Sequence, residues 1–159
     1  MDIEAKKIAL RMISSGLYVV TSVSGTEVSA ATVSWLNQAS FDPPLIMMGV
    51  RKDSHTHALL EKSKVCAVHF LGREQKHLAE SFFKPSKLEG TTINGQEFEK
   101  GPLTGSPILK DVPAYIECKI VDSIQRGDHS VFVAEVLEAC VRQNIPSLGM
   151  RDTPWHYGG

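Results

Sequence analysis

Three cysteines in 159 residues, Cys66, Cys118 and Cys140, stand far apart and form no CxxC. An odd count at such spacing argues against a disulfide framework and for a reducing compartment. No apolar run approaches the ~18 to 20 residues that span a bilayer. The first fifteen residues carry two acids and three bases, where a secretory leader is apolar. The chain therefore reads as soluble and cytoplasmic, with no membrane segment. Excess charge is also missing: the formal net charge is −1 and no basic run reaches five residues, which removes the field that recruits nucleic acid or an anionic membrane. There is no GxGxxG, GxxxxGK[ST] or GxSxG, so Rossmann, P-loop and serine-hydrolase readings have no motif to stand on. A metal site is not expected. His55 and His57 lie two apart on a predicted helix, about 200° from each other, and His69 and His77 have no fitting Cys or Asp beside them. All four read as surface histidines.

What is present is ordinary globular composition, 42% hydrophobic and 22% charged, consistent with one domain over residues 1–159. Ala5, Ile8, Ala9, Met12 and Ile13 recur at helical spacing over residues 2–14, and Ser14-Ser15-Gly16 stops the helix. Leu17–Val23 and Val28–Trp35 read as strands around a Ser24-Gly25-Thr26 turn. Leu45–Val50 is a short apolar run suited to a strand buried on both faces. Ser54 is a plausible N-cap for a helix to about Ser63, Val65–Leu71 is strand-like, and residues 73–83 read as a helix. Residues 84–106 hold four glycines and two prolines and read as a long loop with a short strand near Glu97–Phe98. From Val112 to Ile124 apolar and polar residues alternate. Gln125–His129 turns the chain, and Ser130–Val141 returns. Hairpins outnumber helices and no βαβ alternation is sustained. The predicted fold is mainly β, an antiparallel, split β-barrel with peripheral α-helices.

The stretch 28–56 concentrates the candidate chemistry. Asn37-Gln38-Ala39-Ser40 reads as a polar, uncharged turn, and Asp42-Pro43-Pro44 holds the chain extended. Arg51, Lys52, Ser54 and Thr56 crowd two cations and two hydroxyls at a predicted helix N-terminus, where free N–H groups and the positive dipole end favour phosphate. A neutral polar turn beside a cationic one suits a flat polar heterocycle carrying a phosphate. Further on, Phe83 is rotated about 100° from the core-facing Phe82, His129 opens a strand after a Gly127-Asp128 turn, and the tail TPWHYGG holds aromatic rings able to cover a flat ligand.

Five pieces in order, GLYVVTS (16–22), SAATVSWLNQASFDPPLIMMGV (29–50), RKDSHT (51–56), ESFF (80–83) and GDHSVFVAEV (127–136), resemble the flavin reductase-like family of FMN-binding split barrels over roughly residues 5–150. The resemblance implies that FMN is the cofactor and NADH or NADPH the electron donor. It implies that Thr32, Val33 and Ser34 border the ribityl or phosphate side, Asn37, Gln38, Ala39 and Ser40 the ring edge, and Arg51, Ser54 and Thr56 the phosphate. Phe83 would lie along the flavin, with His129 bordering the docked nicotinamide. It further implies a homodimer, and a monooxygenase or other electron acceptor as partner. Hydride passes from nicotinamide C4 to flavin N5 without a protein nucleophile, in keeping with the lack of a triad. The tail departs from the usual family ending. Two rival readings stay open: an FMN-carrying electron-transfer module without direct NAD(P)H use, and a barrel binding another phosphate-bearing ring such as pyridoxal phosphate or haem.

Overall fold

The computed structural model describes residues 1–159. Eleven strands form a seven-stranded and a four-stranded antiparallel sheet, with three helices around them. Helix α1 (Ile3–Arg11) is capped by Asp2, whose side chain accepts from the N–H groups of Glu4 and Ala5. It ends three residues before the predicted stop. Its apolar stripe packs into no core: α1 buries no residue, and Ile8 and Met12 stand in solvent. Strands β1 (Tyr18–Ser24) and β2 (Glu27–Val33) close through Gly25, at φ 62°, a conformation that costs glycine little.

Residues 37–40 are not a turn. Together with Leu36 they form β3 (Leu36–Ser40), an edge strand pairing with β4 (Leu45–Arg51) in the register Leu36↔Met48, Asn37↔Met47. Neutral polar side chains suit an edge facing water, so tertiary pairing overrides their turn preference. Nor is β4 buried on both faces. Ile46, Met48 and Val50 point into the core, while Met47 is 43% exposed.

Ser54 caps α2 (His55–Ser63) as predicted, its hydroxyl accepting from His57 N–H. After β5 (Val65–Phe70), helix α3 is shorter than expected, Lys76–Ser81, because Gln75 Oε1 instead accepts from Gly72 N–H and holds residues 72–75 in a turn. The predicted long loop is largely structured. Strands β6 (Leu88–Glu89), β7 (Thr92–Ile93), β8 (Gln96–Lys100) and β9 (Pro107–Leu109) form the smaller sheet as a meander. The long hairpin of β10 (Ala114–Ile124) and β11 (His129–Val141) follows the predicted alternation, with two register shifts.

The large sheet runs β2-β1-β5-β10-β11-β4-β3. Its inner face holds Val20, Met48, Val68, Phe132 and neighbours, and a second cluster of Leu17, Leu71, Leu78 and Leu109 fills the space toward α3 and the small sheet. The sheet is mainly antiparallel β, as expected, but no ladder joins its edges β2 and β3, so it is not a closed barrel.

His57 and His69 are buried, against the surface placement expected of them. His57 Nε2 is hydrogen-bonded to Ser130 Oγ at 2.7 Å. His69 donates from Nδ1 to the Val19 carbonyl at 2.8 Å and accepts at Nε2 from Leu109 N–H at 3.1 Å. Each imidazole is satisfied by groups that tertiary packing brings from remote segments, which no local pattern announces.

Candidate functional site

Where β2 gives way to β3, Ser34 and Trp35 leave the ladder. Trp35 lies back across β4, its carbonyl accepting from Gly49 N–H at 2.8 Å. Glycine at 49 permits this: a Cβ there would stand 3.1 Å from the indole. The indole ring centroid is 4.5 Å from that of His129 and 5.2 Å from that of Tyr157. These three rings occupy one wall of a cleft of about 940 Å³, also lined by Ser34, Asn37, Met47 and residues of α1 and the tail. That volume is at the upper end of ordinary small-molecule sites.

His129 is fixed at both nitrogens. Its Nδ1–H donates to Asp128 Oδ1 at 2.9 Å, and Nε2 meets the Tyr157 hydroxyl at 2.7 Å. A carboxylate accepts only, so Nδ1 carries the proton and Nε2 faces the phenol as acceptor when the ring is neutral. The hydrogen bond from His129 holds Asp128 below the usual carboxylate range, while burial pushes the Tyr157 hydroxyl up. Ser34 adds a feature of a different kind. Its hydroxyl is buried in the cleft wall with no hydrogen-bond partner, a state that costs free energy until a ligand or water satisfies it.

Beyond His129 a second hollow of about 430 Å³ is lined by Arg51, Lys52, Asp53, Asp128, His129 and Tyr157. Arg51 forks onto Asp53, donating from Nε at 2.9 Å, and that contact raises the guanidinium and lowers the carboxyl. The two cations here face two carboxylates.

Of the residues singled out from sequence, Ser34, Asn37 and His129 share the large cleft, and Arg51 lines the adjoining hollow. Ser54 sits beneath Arg51, donating to its carbonyl at 2.7 Å, and Thr56 is buried. The Thr32 hydroxyl is used by the Ala79 carbonyl at 2.6 Å, and Val33 belongs to the core. Gln38, Ala39 and Ser40 run along the edge strand away from both hollows, and Phe83 packs edge-on against Trp155. Sequence reasoning missed Trp35 and Asp128. If β2 ran unbroken to residue 35, Trp35 would share the inward phase of Val33. The break at Ser34 turns it outward, and the only sequence hint is Gly49, the small residue it needs opposite.

The protein is thus of mainly β, antiparallel architecture and carries a cleft lined by aromatic and imidazole rings. The flavin reductase like domain matches residues 10–153, and the chain belongs to that family. It is 30% identical over 125 residues to the reductase component of the Rhodococcus opacus 4-nitrophenol 4-monooxygenase/4-nitrocatechol 2-monooxygenase, covering 79% of this chain and 65% of that one. It is 31% identical to a putative diflavin flavoprotein A 3 of Synechocystis, over 94% of this chain and 25% of that one. The chain thus spans less than two thirds of either relative's length. Among solved structures it superposes on the NADH:FAD oxidoreductase SgcE6 of Streptomyces globisporus with a TM-score of 0.71, at 27% identity over 81% of this chain and 76% of that one. No helix is long and apolar enough to cross a membrane.

Proposed function

We propose that this chain is an NAD(P)H:flavin oxidoreductase, with FMN as its flavin, working as a split-barrel homodimer that supplies a monooxygenase or similar acceptor. The observation that carries the reading is the cleft in which Trp35, His129 and Tyr157 converge beside the unpartnered Ser34 hydroxyl. When bound, the flavin supplies the hydride-accepting ring. The chain supplies position. Trp35 offers an apolar face on which a flat ring can lie. Ser34 and Asn37 offer polar groups to the ring edge, while Gln38, Ala39 and Ser40 lie outside the cleft. His129, oriented by Asp128, presents Nε2 to the place where a nicotinamide would dock once Tyr157 yields. Arg51 would exchange Asp53 for the phosphate, beside the N-terminus of α2 that Ser54 caps and Thr56 enters. Thr32 and Val33 would border the ligand through their backbone, and Phe83 through its exposed ring. The reading takes residues 1–159 as one flavin reductase-like unit, and a cytoplasmic location goes with it, supported by three unpaired cysteines.

The alternative, an FMN-carrying module that takes its electrons from elsewhere, is favoured by one observation: the Tyr157 hydroxyl occupies His129 Nε2 at 2.7 Å, the atom that the first reading gives to the nicotinamide. Anaerobic mixing of the flavin-loaded protein with NADH or NADPH separates the two. Rapid bleaching of the flavin bands is expected, slowed roughly tenfold or more in His129→Ala with FMN still bound, because misplaced rings react slowly. A flavin that stays oxidised hands the decision to the alternative, and a protein that binds no flavin removes both.

A further inference from the structure

His57 and Ser130 are buried and line neither hollow, yet both belong to elements that meet there. Ser130 follows His129 in β11, and His57 lies in the first turn of α2. His57 Nε2 and Ser130 Oγ are 2.7 Å apart, and the Ser130 hydroxyl has no second partner. The imidazole packs edge-on against Phe132, with ring centroids 5.1 Å apart, and its Nδ1 faces Glu61 Oε2 at 3.8 Å. A carboxylate on that side keeps the proton at Nδ1, so Nε2 accepts from the Ser130 hydroxyl.

Hydrogen bonds continue from this contact to the cationic turn. His57 N–H donates to Ser54 Oγ at 3.1 Å, and the Ser54 hydroxyl donates to the Arg51 carbonyl at 2.7 Å. Arg51 is the cross-strand partner of His129, and Val50 that of Ser130. The circuit Ser130–His57–Ser54–Arg51 therefore closes on the strand where it began. A second circuit lies outside it. Gln125 Nε2 donates to Glu61, the Gln125 carbonyl accepts from Lys52 Nζ at 3.0 Å, and Lys52 N–H donates to the Asp128 carbonyl at 3.0 Å. Since Glu61 faces His57, one imidazole belongs to both circuits. Removing the Ser130 hydroxyl would leave Nε2 a buried acceptor without a partner, a state unfavourable enough to move the ring and the helix turn that carries it.

We infer that His57 and Ser130 are positioning residues for the flavin phosphate, holding Arg51 and the first turn of α2 in place relative to His129 without touching the ligand. The inference rests on the reading of the Arg51 turn as the phosphate end of a flavin site. Charge-assisted contacts to phosphate are short and directional, so a displaced turn weakens them while leaving the ring's own contacts intact.

Riboflavin differs from FMN only in lacking the phosphate, and the pair of ligands reads that end alone. Both are titrated calorimetrically into wild type, Ser130→Ala, His57→Leu, His57→Gln, Arg51→Gln and Arg51→Gln/Ser130→Ala. Glutamine can carry a polar atom where Nε2 lies, so His57→Gln restores the bond without the ring. FMN affinity is expected to fall about tenfold in Ser130→Ala and in His57→Leu, with riboflavin affinity held within about twofold. His57→Gln should keep FMN affinity within about threefold of wild type. The loss caused by Ser130→Ala should shrink when Arg51 is already glutamine, because the serine acts through that turn. Unchanged FMN affinity in Ser130→Ala overturns the inference, and so do losses that add in full in the double variant. A parallel loss of FMN and riboflavin also overturns it, since a merely structural role would weaken both, and so does His57→Gln behaving as His57→Leu. A wild type that binds FMN no more tightly than riboflavin has no phosphate end, and the inference falls with that part of the reading. Should wild type take neither flavin, inorganic phosphate becomes the probe. Phosphate binding weakened by Arg51→Gln and by Ser130→Ala would keep the positioning role and remove the flavin reading; phosphate binding indifferent to Ser130 would remove both.

Discussion

His69 stands where three strands meet, and its protonation state is set by what surrounds it. Its ring is wholly buried, donates to β1 and accepts from β9. An imidazolium would have to give up the bond from Leu109 N–H, because both its nitrogens would be donors. Burial lowers the pKa from 6.5 to about 4. A folded-state value below the unfolded one means that the unfolded chain binds the proton more readily, so stability is complete above about pH 6.5 and is lost as pH falls toward 4. At 1.36 kcal/mol per unit the loss is on the order of 3 kcal/mol. Urea unfolding of wild type and His69→Gln at pH 7.5 and pH 4.5 isolates the effect from that of the carboxylates. The variant should be less stable at the higher pH and should lose less between the two. Equal losses would mean that His69 is not held neutral by the fold.

At the scale of elements, the tail from Thr153 to Gly159 decides how the cleft is presented. Tyr157 packs on Trp35 and bonds His129, and Gly158 is held by Arg11. All three contacts come from residues 28 to 147 positions away in sequence, so the tail is a strap laid over a site built by other elements. A strap that must lift before nicotinamide reaches His129 reduces apparent affinity by the fraction of time it is closed. Tyr157→Ala is therefore expected to lower KM for NAD(P)H several-fold with little change in kcat, and to increase acrylamide quenching of tryptophan fluorescence. A raised KM would make Tyr157 part of the docking face instead. These elements also mark where sequence reading ended. The β1–β2 and β10–β11 hairpins were legible, because alternation and a glycine turn are local signals. So was the Ser54 cap. Residues 36–40 were not, since an exposed polar edge strand has the composition of a turn and only β4 makes it a strand. Residues 84–106 had the glycine content of a loop, yet a meander of two- to five-residue strands needs those turns. In the site, Ser34, Asn37, His129 and Arg51 could be singled out in advance. Trp35 could not, because the groups that position it, Gly49, His129 and Tyr157, lie far along the chain.

For the molecule as a whole, the apolar surface and the cleft are one problem. Ile8 (57% exposed) and Met12 (71%) project from α1, and Phe41 (91%) projects from the β3–β4 turn. Leu10, Ile13, Met47 and Val131, each more than a third exposed, line the cleft. Apolar residues gathered in this way on a monomer mark a surface that something covers, and the proposed homodimer supplies a second copy as the cover. Stable association buries roughly 1,200 Å² or more in total, and charges at its centre oppose it strongly. Sedimentation velocity should give a two-chain mass for the wild type and a one-chain mass for Ile8→Glu/Phe41→Glu. Because α1 carries both Ile8 and the cleft-lining Leu10, separating the copies should also open the cleft to water and weaken FMN binding, about tenfold if one ring face is lost. A variant that becomes monomeric yet binds FMN with unchanged affinity would show that each chain completes its own site, and would confine the partner copy to stability alone.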